Sequence, residues 1–146
     1  MNLTFRDATI RDAEALYLLA VQLGGAVLSR ADFNHALERA LTDGEVHILV
    51  AELANELVAL ATLSIRPQLR LGGLLISIDE FVVAEQRRGH SVGGRLLAHI
   101  CQQARVLGAR RVELHTRRTR ESYARGFYVK HGFTDVDSAV LRWEPT

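Results

Sequence analysis

The sequence predicts an α/β (α+β) fold: a mixed, mainly antiparallel sheet with one parallel β-α-β unit and helices on both faces. Three observations carry that expectation. Two β-rich runs, residues 46–53 and 57–65, flank the link Ala54-Asn55-Glu56, the pattern of an antiparallel hairpin. Residues 74–83 form a long apolar run interrupted only by Asp79-Glu80, as a strand inside a sheet would. After a basic, glycine-containing turn, Val92, Leu96, Ile100, Ala104 and Leu107 recur at helical spacing up to Gly108, and residues 112–116 alternate as a further strand. Strand, helix and strand joined in that way run parallel through a right-handed crossover.

The remaining elements follow in order. Leu3, Phe5 and Arg6-Asp7 read as a first strand, and Thr9 with Asp12 three residues on resembles a capping box. Ala13, Leu16, Tyr17, Ala20 and Leu23 then keep helical spacing until Gly24-Gly25. A second helix spans residues 30–41, capped by Ser29, with Phe33, Leu37 and Leu41 on one face. Thr42-Asp43-Gly44 is a turn, and residues 67–73 are a loop. A short helix is expected from Glu121 or Ser122 to about Lys130, closed by Gly132, and a last hairpin from Phe133 to Trp143.

At 146 residues the chain is read as one domain, residues 1–146, long enough to bury a core. A net charge of +1 argues against binding nucleic acid through overall charge, and Arg117-Arg118-Thr119-Arg120 is too short and too poor in aromatics for a nucleic-acid patch. No apolar run is long enough to cross a membrane, and the first residues do not read as a signal peptide. The single cysteine, Cys101, excludes an intrachain disulfide and fits a reducing, cytoplasmic setting; it falls on the apolar side of its helix as a core filler. The six histidines have no partners at metal-ligand spacing, so no metal is expected.

The stretch from Asp79 to Leu97 carries the chemistry. Strand, glycine turn and helix N-terminus is an arrangement that binds phosphate, because the first helical amides have no acceptor within the helix. Arginines beside them add charge-assisted hydrogen bonds. Taken alone, Gly89-His90-Ser91-Val92-Gly93 is also compatible with a plain βα turn.

Two motifs carry a family resemblance. Gln86-Arg87-Arg88-Gly89-His90-Ser91-Val92-Gly93 looks like the acetyl-CoA loop of the GCN5-related N-acetyltransferase superfamily, and Ala124-Arg125-Gly126-Phe127-Tyr128-Val129-Lys130-His131-Gly132-Phe133 is close to that family's ending. The resemblance covers essentially the whole chain, in order. It implies that Arg88, Gly89, His90, Ser91, Val92 and Gly93 hold the cofactor pyrophosphate by backbone amides. It also implies that the strand segment Phe81, Val82 and Val83 pairs with the pantetheine arm through the main-chain groups of Phe81 and Val83. Tyr128 matches the tyrosine that protonates the departing thiolate. Ser91 departs from the family's second glycine or alanine, and the loop keeps its form if Ser91 does not need a positive φ.

The amine acceptor must lose a proton before it attacks a thioester, and a carboxylate raised in pKa by burial can take it. Glu80 is the candidate base; the alternative is a carboxylate paired with an arginine such as Arg111 or Arg117. Asp79 is expected on the opposite face, because side chains alternate along a strand. His90 and His115 read more simply as surface histidines, and Glu121 stands where many members carry an asparagine that contacts the cofactor. The function implied is acetyl transfer from acetyl-CoA to a primary amine of a small molecule. The segments around residues 65–69 and 78–83, with Ser91, are similar to aminoalkylphosphonate acetyltransferases, which would make Arg66, Arg70, Arg117, Arg118 and Arg120 candidates for an anion clamp. The alternative is an acetyl-CoA or CoA sensor without turnover. A homodimer through the apolar C-terminal segment is the partner expected beside the small-molecule substrate.

Overall fold

A computed structural model describes residues 2–24 and 28–145. They fall into two compact units, Met1–His115 and Thr116–Thr146, and each is taken by itself.

In the first unit, β1 (Leu3–Asp7) leads through a 3-10 turn (Ile10–Asp12) into α1 (Ala13–Leu23), followed by α2 (Arg30–Thr42), β2 (Val46–Leu53), β3 (Glu56–Gln68), β4 (Gly73–Val83), α3 (Val92–Leu107) and β5 (Arg111–Leu114). The strands lie in the order β1-β2-β3-β4-β5, every pair antiparallel except β4–β5. The predicted parallel unit is therefore β4-α3-β5.

Local chemistry explains the boundaries. The Thr9 amide donates to the Asp12 carboxylate at 2.8 Å, the reciprocal half of the capping box. Arg6 grips the same carboxylate through two 2.9 Å bonds, which holds the Asp12 pKa below its ordinary value and ties the start of α1 to β1. Ser29 Oγ accepts from the Asp32 amide at the head of α2. Ala54 and Asn55 both sit at positive φ (51° and 64°), as a two-residue I′ turn demands between β2 and β3. Gly24 ends α1; Gly25, the second glycine of the expected stop, lies outside the described residues.

One boundary differs. Residues 67 and 68 were expected in a loop, yet β3 runs through Pro67 to Gln68, with Pro67 opposite Leu74. The Ile65 amide donates across to Glu45 O, and Pro67 holds the next site on that same edge, past the end of β2. A residue without an N–H loses nothing there.

Alternation assigns the faces. Ile48, Val50, Leu60 and Val82 pack with Leu16 and Leu19 of α1 and Leu37 of α2 in one core. Phe5, opposite Ala51, points the other way and stacks on His99 of α3 at 4.6 Å between ring centroids. Of the α3 stripe, Val92, Leu96, Ile100 and Ala104 are buried, and Leu97 joins them; Leu107 is 48% exposed. Cys101 is half-buried on the same helix.

Alternation fails at the acidic pair. Thr62 lies opposite Glu80 and Leu63 opposite Ile78, so Asp79 is an extra residue, a β-bulge. Thr62 and Ser64 share a face of β3. The Thr62 hydroxyl donates to Glu80, and the Ser64 hydroxyl donates to Asp79. Ser77 Oγ also donates to Asp79, at 2.9 Å. Both carboxylates thus turn to one face, which corrects the expectation that Asp79 points away from Glu80.

In the second unit, α4 (Glu121–Ala124) and α5 (Phe127–Lys130) replace one expected helix, because Gly126 takes φ 72° between them. The Tyr123 hydroxyl donates to Asp135 and accepts from Arg118 at 3.2 Å. The expected hairpin from Phe133 to Trp143 is absent: no strand follows β5 among the described residues. Phe133 N–H turns back to Tyr128 O at 3.0 Å and Ser138 N–H to Val136 O at 3.0 Å, local bonds in place of a ladder. The strand signal there was β-propensity, which depends on context rather than on the residue alone. Leu141 and Trp143 are 93% and 83% exposed. No helix among the described residues is long and apolar enough to cross a membrane.

The bulge supports a prediction. Among the described residues Ser77 is the only buried polar one, 8% exposed, and Asp79 accepts its hydroxyl. Asp79→Ala should cost about 1–3 kcal/mol of stability, the penalty for stranding a buried donor. Urea unfolding measures it; a loss within 0.5 kcal/mol of zero, on the order of an ordinary surface change, would remove the bulge anchor from the account.

Candidate functional site

The site is built on the second half of β4. The parallel ladder with β5 stops at Ile78 opposite Leu114, whereas pairing with β3 continues to Val83 opposite Ala59. Beyond Ile78, β4 keeps β3 on one side and outruns β5 on the other. Of the three strand residues expected to meet the cofactor, Val82 is buried in the core with α1 and α2, and Phe81 and Val83 are half-buried on the α3 side. The Val83 carbonyl accepts from Arg88 Nε at 3.0 Å, so the arginine reaches back over the strand end. A carbonyl has a second lone pair, and Val83 O can still take another donor.

Past Val83 the chain makes one 3-10 turn (Glu85–Arg87), and the Glu85 amide donates to Gln22 Oε1 at 2.8 Å, which fastens the turn to α1. Arg88 is extended, Gly89 takes φ 80°, and Ser91 takes φ 69° as the residue that opens α3. The condition set on Ser91 is therefore not met: it sits in the left-handed region that favours glycine. Its side chain makes no cap hydrogen bond in return. The His90 Nδ1 lies 3.0 Å from Arg88 O, a contact within the loop.

The first hydrogen bond of α3 is Arg95 N–H to Ser91 O at 3.1 Å. Among the described residues, the amides of Gly89, His90, Ser91, Val92, Gly93 and Gly94 donate to no protein acceptor. That is a row of fixed donors at a helix N-terminus, with left-handed residues curving the backbone around them, the geometry of an anion nest.

On the other face of the sheet, α1 and α2 stand off from β2, β3 and β4 around a cleft of about 710 Å³. Leu16, Leu37, Ile48 and Leu60 line its floor, Tyr17 and Phe33 its helical wall, and Asp32, Thr62 and Glu80 supply the polar groups. Glu80 is exposed at this wall rather than buried, and the partner the fold gives it is the Thr62 hydroxyl. Thr62 and Asp32 were not singled out in the sequence, and Tyr17 was read only as part of a helical stripe. Only the β3–β4 register, with its bulge, shows that Thr62 faces Glu80.

Tyr128 belongs to the second unit, half-buried on α5, edge-on to Phe127 at 5.1 Å and to Phe133 at 6.4 Å between ring centroids. No group of three or more His, Cys, Asp or Glu residues able to hold a metal occurs among the described residues.

The family model for the acetyltransferase (GNAT) family matches residues 11–133. The chain belongs to that family. An aminoalkylphosphonate N-acetyltransferase from Salmonella typhimurium is 31% identical over 128 residues, spanning 88% of this chain and 82% of the relative. Among solved structures, a possible acetyltransferase from Clostridium difficile superposes with a TM-score of 0.85 at 16% identity, over 100% of this chain and 99% of that one. A transcriptional regulator from Bacillus halodurans superposes with a TM-score of 0.83 at 23% identity, covering 98% and 99%. At such identities these two show the fold alone. The α/β class and the GNAT architecture stand.

The strain at Ser91 yields a prediction. Ser91→Gly relieves a left-handed serine that no cap bond compensates, and should add about 0.5–1 kcal/mol, or roughly 1–4 °C in Tm for a chain of this size. Ser91→Val should do the reverse. Thermal unfolding of the three proteins tests it, and a Gly variant less stable than wild type would show that the serine side chain matters there.

Proposed function

We propose that this acetyltransferase moves an acetyl group from acetyl-CoA to a primary amine of a small molecule by direct attack, with Glu80 as general base and Tyr128 as general acid. The observation that carries the reading is the row of unpartnered amides from Gly89 to Gly94 beside a strand that outruns its parallel neighbour. Such amides fit a pyrophosphate, and Arg87 and Arg88 bring positive charge to the same loop. Past Ile78, where its parallel pairing with β5 ends, β4 runs on as an extended segment that suits a pantetheine arm, with Val83 O exchanging the Arg88 side chain for an amide of the arm.

The chemistry follows from the groups present. The acceptor arrives as an ammonium; Glu80, directly or through water, takes the proton and frees the nitrogen lone pair. Thr62 fixes the carboxylate by donating to it. Glu80 is exposed at the cleft wall, so substrates covering the cleft supply the loss of water that sharpens a base. The nitrogen bonds to the thioester carbonyl carbon, and the C–S bond breaks as the phenol of Tyr128 gives its proton to the thiolate. The second proton leaving the nitrogen passes through water to the phenolate, so that the amide and free CoA thiol are released and Glu80 returns its proton to solvent. Cys101 lies half-buried within α3 and has no part in this direct-attack reading.

The test is thiol release with acetyl-CoA over an amine panel that includes aminoalkylphosphonates, the class named for the Salmonella relative. Wild type should turn over. Tyr128→Phe and Glu80→Gln should lose roughly 10²-fold or more in kcat, the usual worth of a general acid or base, while binding acetyl-CoA normally. Tight acetyl-CoA binding without turnover on any amine would replace this reading with a sensor of acetyl-CoA. Turnover indifferent to Glu80→Gln would remove Glu80 as the base.

A further inference from the structure

The cleft above Glu80 has a chemistry of its own. Apart from Asp32, Thr62 and Glu80, the described residues around it are apolar, aromatic or glycine, and no arginine, lysine or histidine is among them. Tyr17 meets Phe33 edge-on at 5.4 Å, and its hydroxyl is already spent on Leu28 O at 3.2 Å, so the pair presents ring surface to the cleft. One cation does pack on that wall from outside: the Arg30 guanidinium lies 4.5 Å from the Tyr17 ring centroid, and Glu14 neutralises it in an ion pair. Of the arginines proposed from the sequence as an anion clamp, neither Arg66 nor Arg70 lines the cleft. In the second unit, Arg118 is engaged with Tyr123 and Asp135.

We propose that the acceptor is a primary amine on an apolar body, an aryl-alkyl or alkyl amine, and not an aminoalkylphosphonate. This rests on the transferase reading and names its substrate class. The ammonium enters between two carboxylates, Asp32 at the head of α2 and Glu80 on β4, and the hydrocarbon lies against Tyr17, Phe33 and Leu60. A cavity of about 710 Å³ is in the range that encloses a molecule of ten or more heavy atoms, far more than the shortest aminophosphonates fill. A phosphonate there meets apolar walls and two like charges, with no cation among the described residues that line the cleft to pair it, the arrangement by which a site rejects a ligand. The split of the sheet thus gives each substrate a different wall: donor amides on one side, carboxylates and rings on the other.

Calorimetry and thiol-release kinetics with phenethylamine, hexylamine and 2-aminoethylphosphonate test the assignment on the full chain. Phenethylamine and hexylamine should exceed the phosphonate in kcat/KM by about tenfold or more, the worth of roughly 1.4 kcal/mol. Ala36→Arg, an exposed α2 position on the cleft, should narrow or invert that ratio by installing the missing cation. Asp32→Asn should raise KM for the amines several-fold with kcat kept, and should leave the binding of phenethyl alcohol, which carries no charge, unchanged. Loss of a charge that only steadies α2 would move thermal stability and treat amine and alcohol alike. A wild-type preference for 2-aminoethylphosphonate overturns the assignment while leaving the transferase intact. Calorimetric binding of the apolar amines without thiol release leaves the ligand class standing and removes the transferase reading. Binding of neither apolar amine overturns the assignment.

Discussion

The structure depends on where the hydrogen bonding of β4 changes partners. One edge of that strand is paired to its end by β3; the other is paired by β5 only as far as Ile78. The bulge at Asp79 falls at the same point, and bulges increase local twist and re-aim side chains. One extra residue therefore swings two carboxylates to the α1/α2 face at the place where the parallel neighbour drops away. The seryl and threonyl hydroxyls of β3 and β4 secure the geometry. They satisfy oxygens that an apolar strand would leave without donors, and they do so without neutralising the charge, as an arginine partner would.

The loop after β4 shows a backbone shaped against local preference. A serine at φ 69° costs free energy, and the row of amides beside it points away from any protein acceptor. Such costs persist where the surroundings over-determine the conformation, here by the buried side chains of Val92 and Leu96 on α3 and by the Gln22 bond that fastens the preceding turn. The amides are arranged before any anion arrives, so binding one demands little reorganisation.

Most of the architecture was legible from periodicity and punctuation. Apolar stripes at helical spacing, Gly108 at φ 69° and the Ala54-Asn55 turn gave element types and nearly all boundaries. What was hidden in the sequence was non-local. The face of Asp79 depends on an insertion relative to β3, and a strict period of two cannot reveal a bulge. The strand expected after Phe133 needed a neighbour, which residue preference alone does not supply. The pairing of Thr62 with Glu80 likewise required the register of two strands rather than the pattern of either. Glu80 was put forward from the demands of the chemistry and its place on the strand, whereas Asp32 and Tyr17 belong to helices whose apolar faces gave no sign that a cavity lay beneath them.

The far end of β3 carries a separate consequence. Where β3 outlasts β2, the Ile65 amide still donates to Glu45 O, and beyond it residues 66–68 have no strand paired on that side among the described residues; an open edge is a template on which another chain can add. Pro67 stands at the position where the next donor of that edge would be, and it has none to offer. A polypeptide approaching this corner finds the Ile65 donor already taken by Glu45 O and exposed proline ring atoms where the next donor would be. The proline that disguised the strand in the sequence thus disfavours edge-to-edge addition of another chain at this corner, on the same strand that carries Leu60 and Thr62.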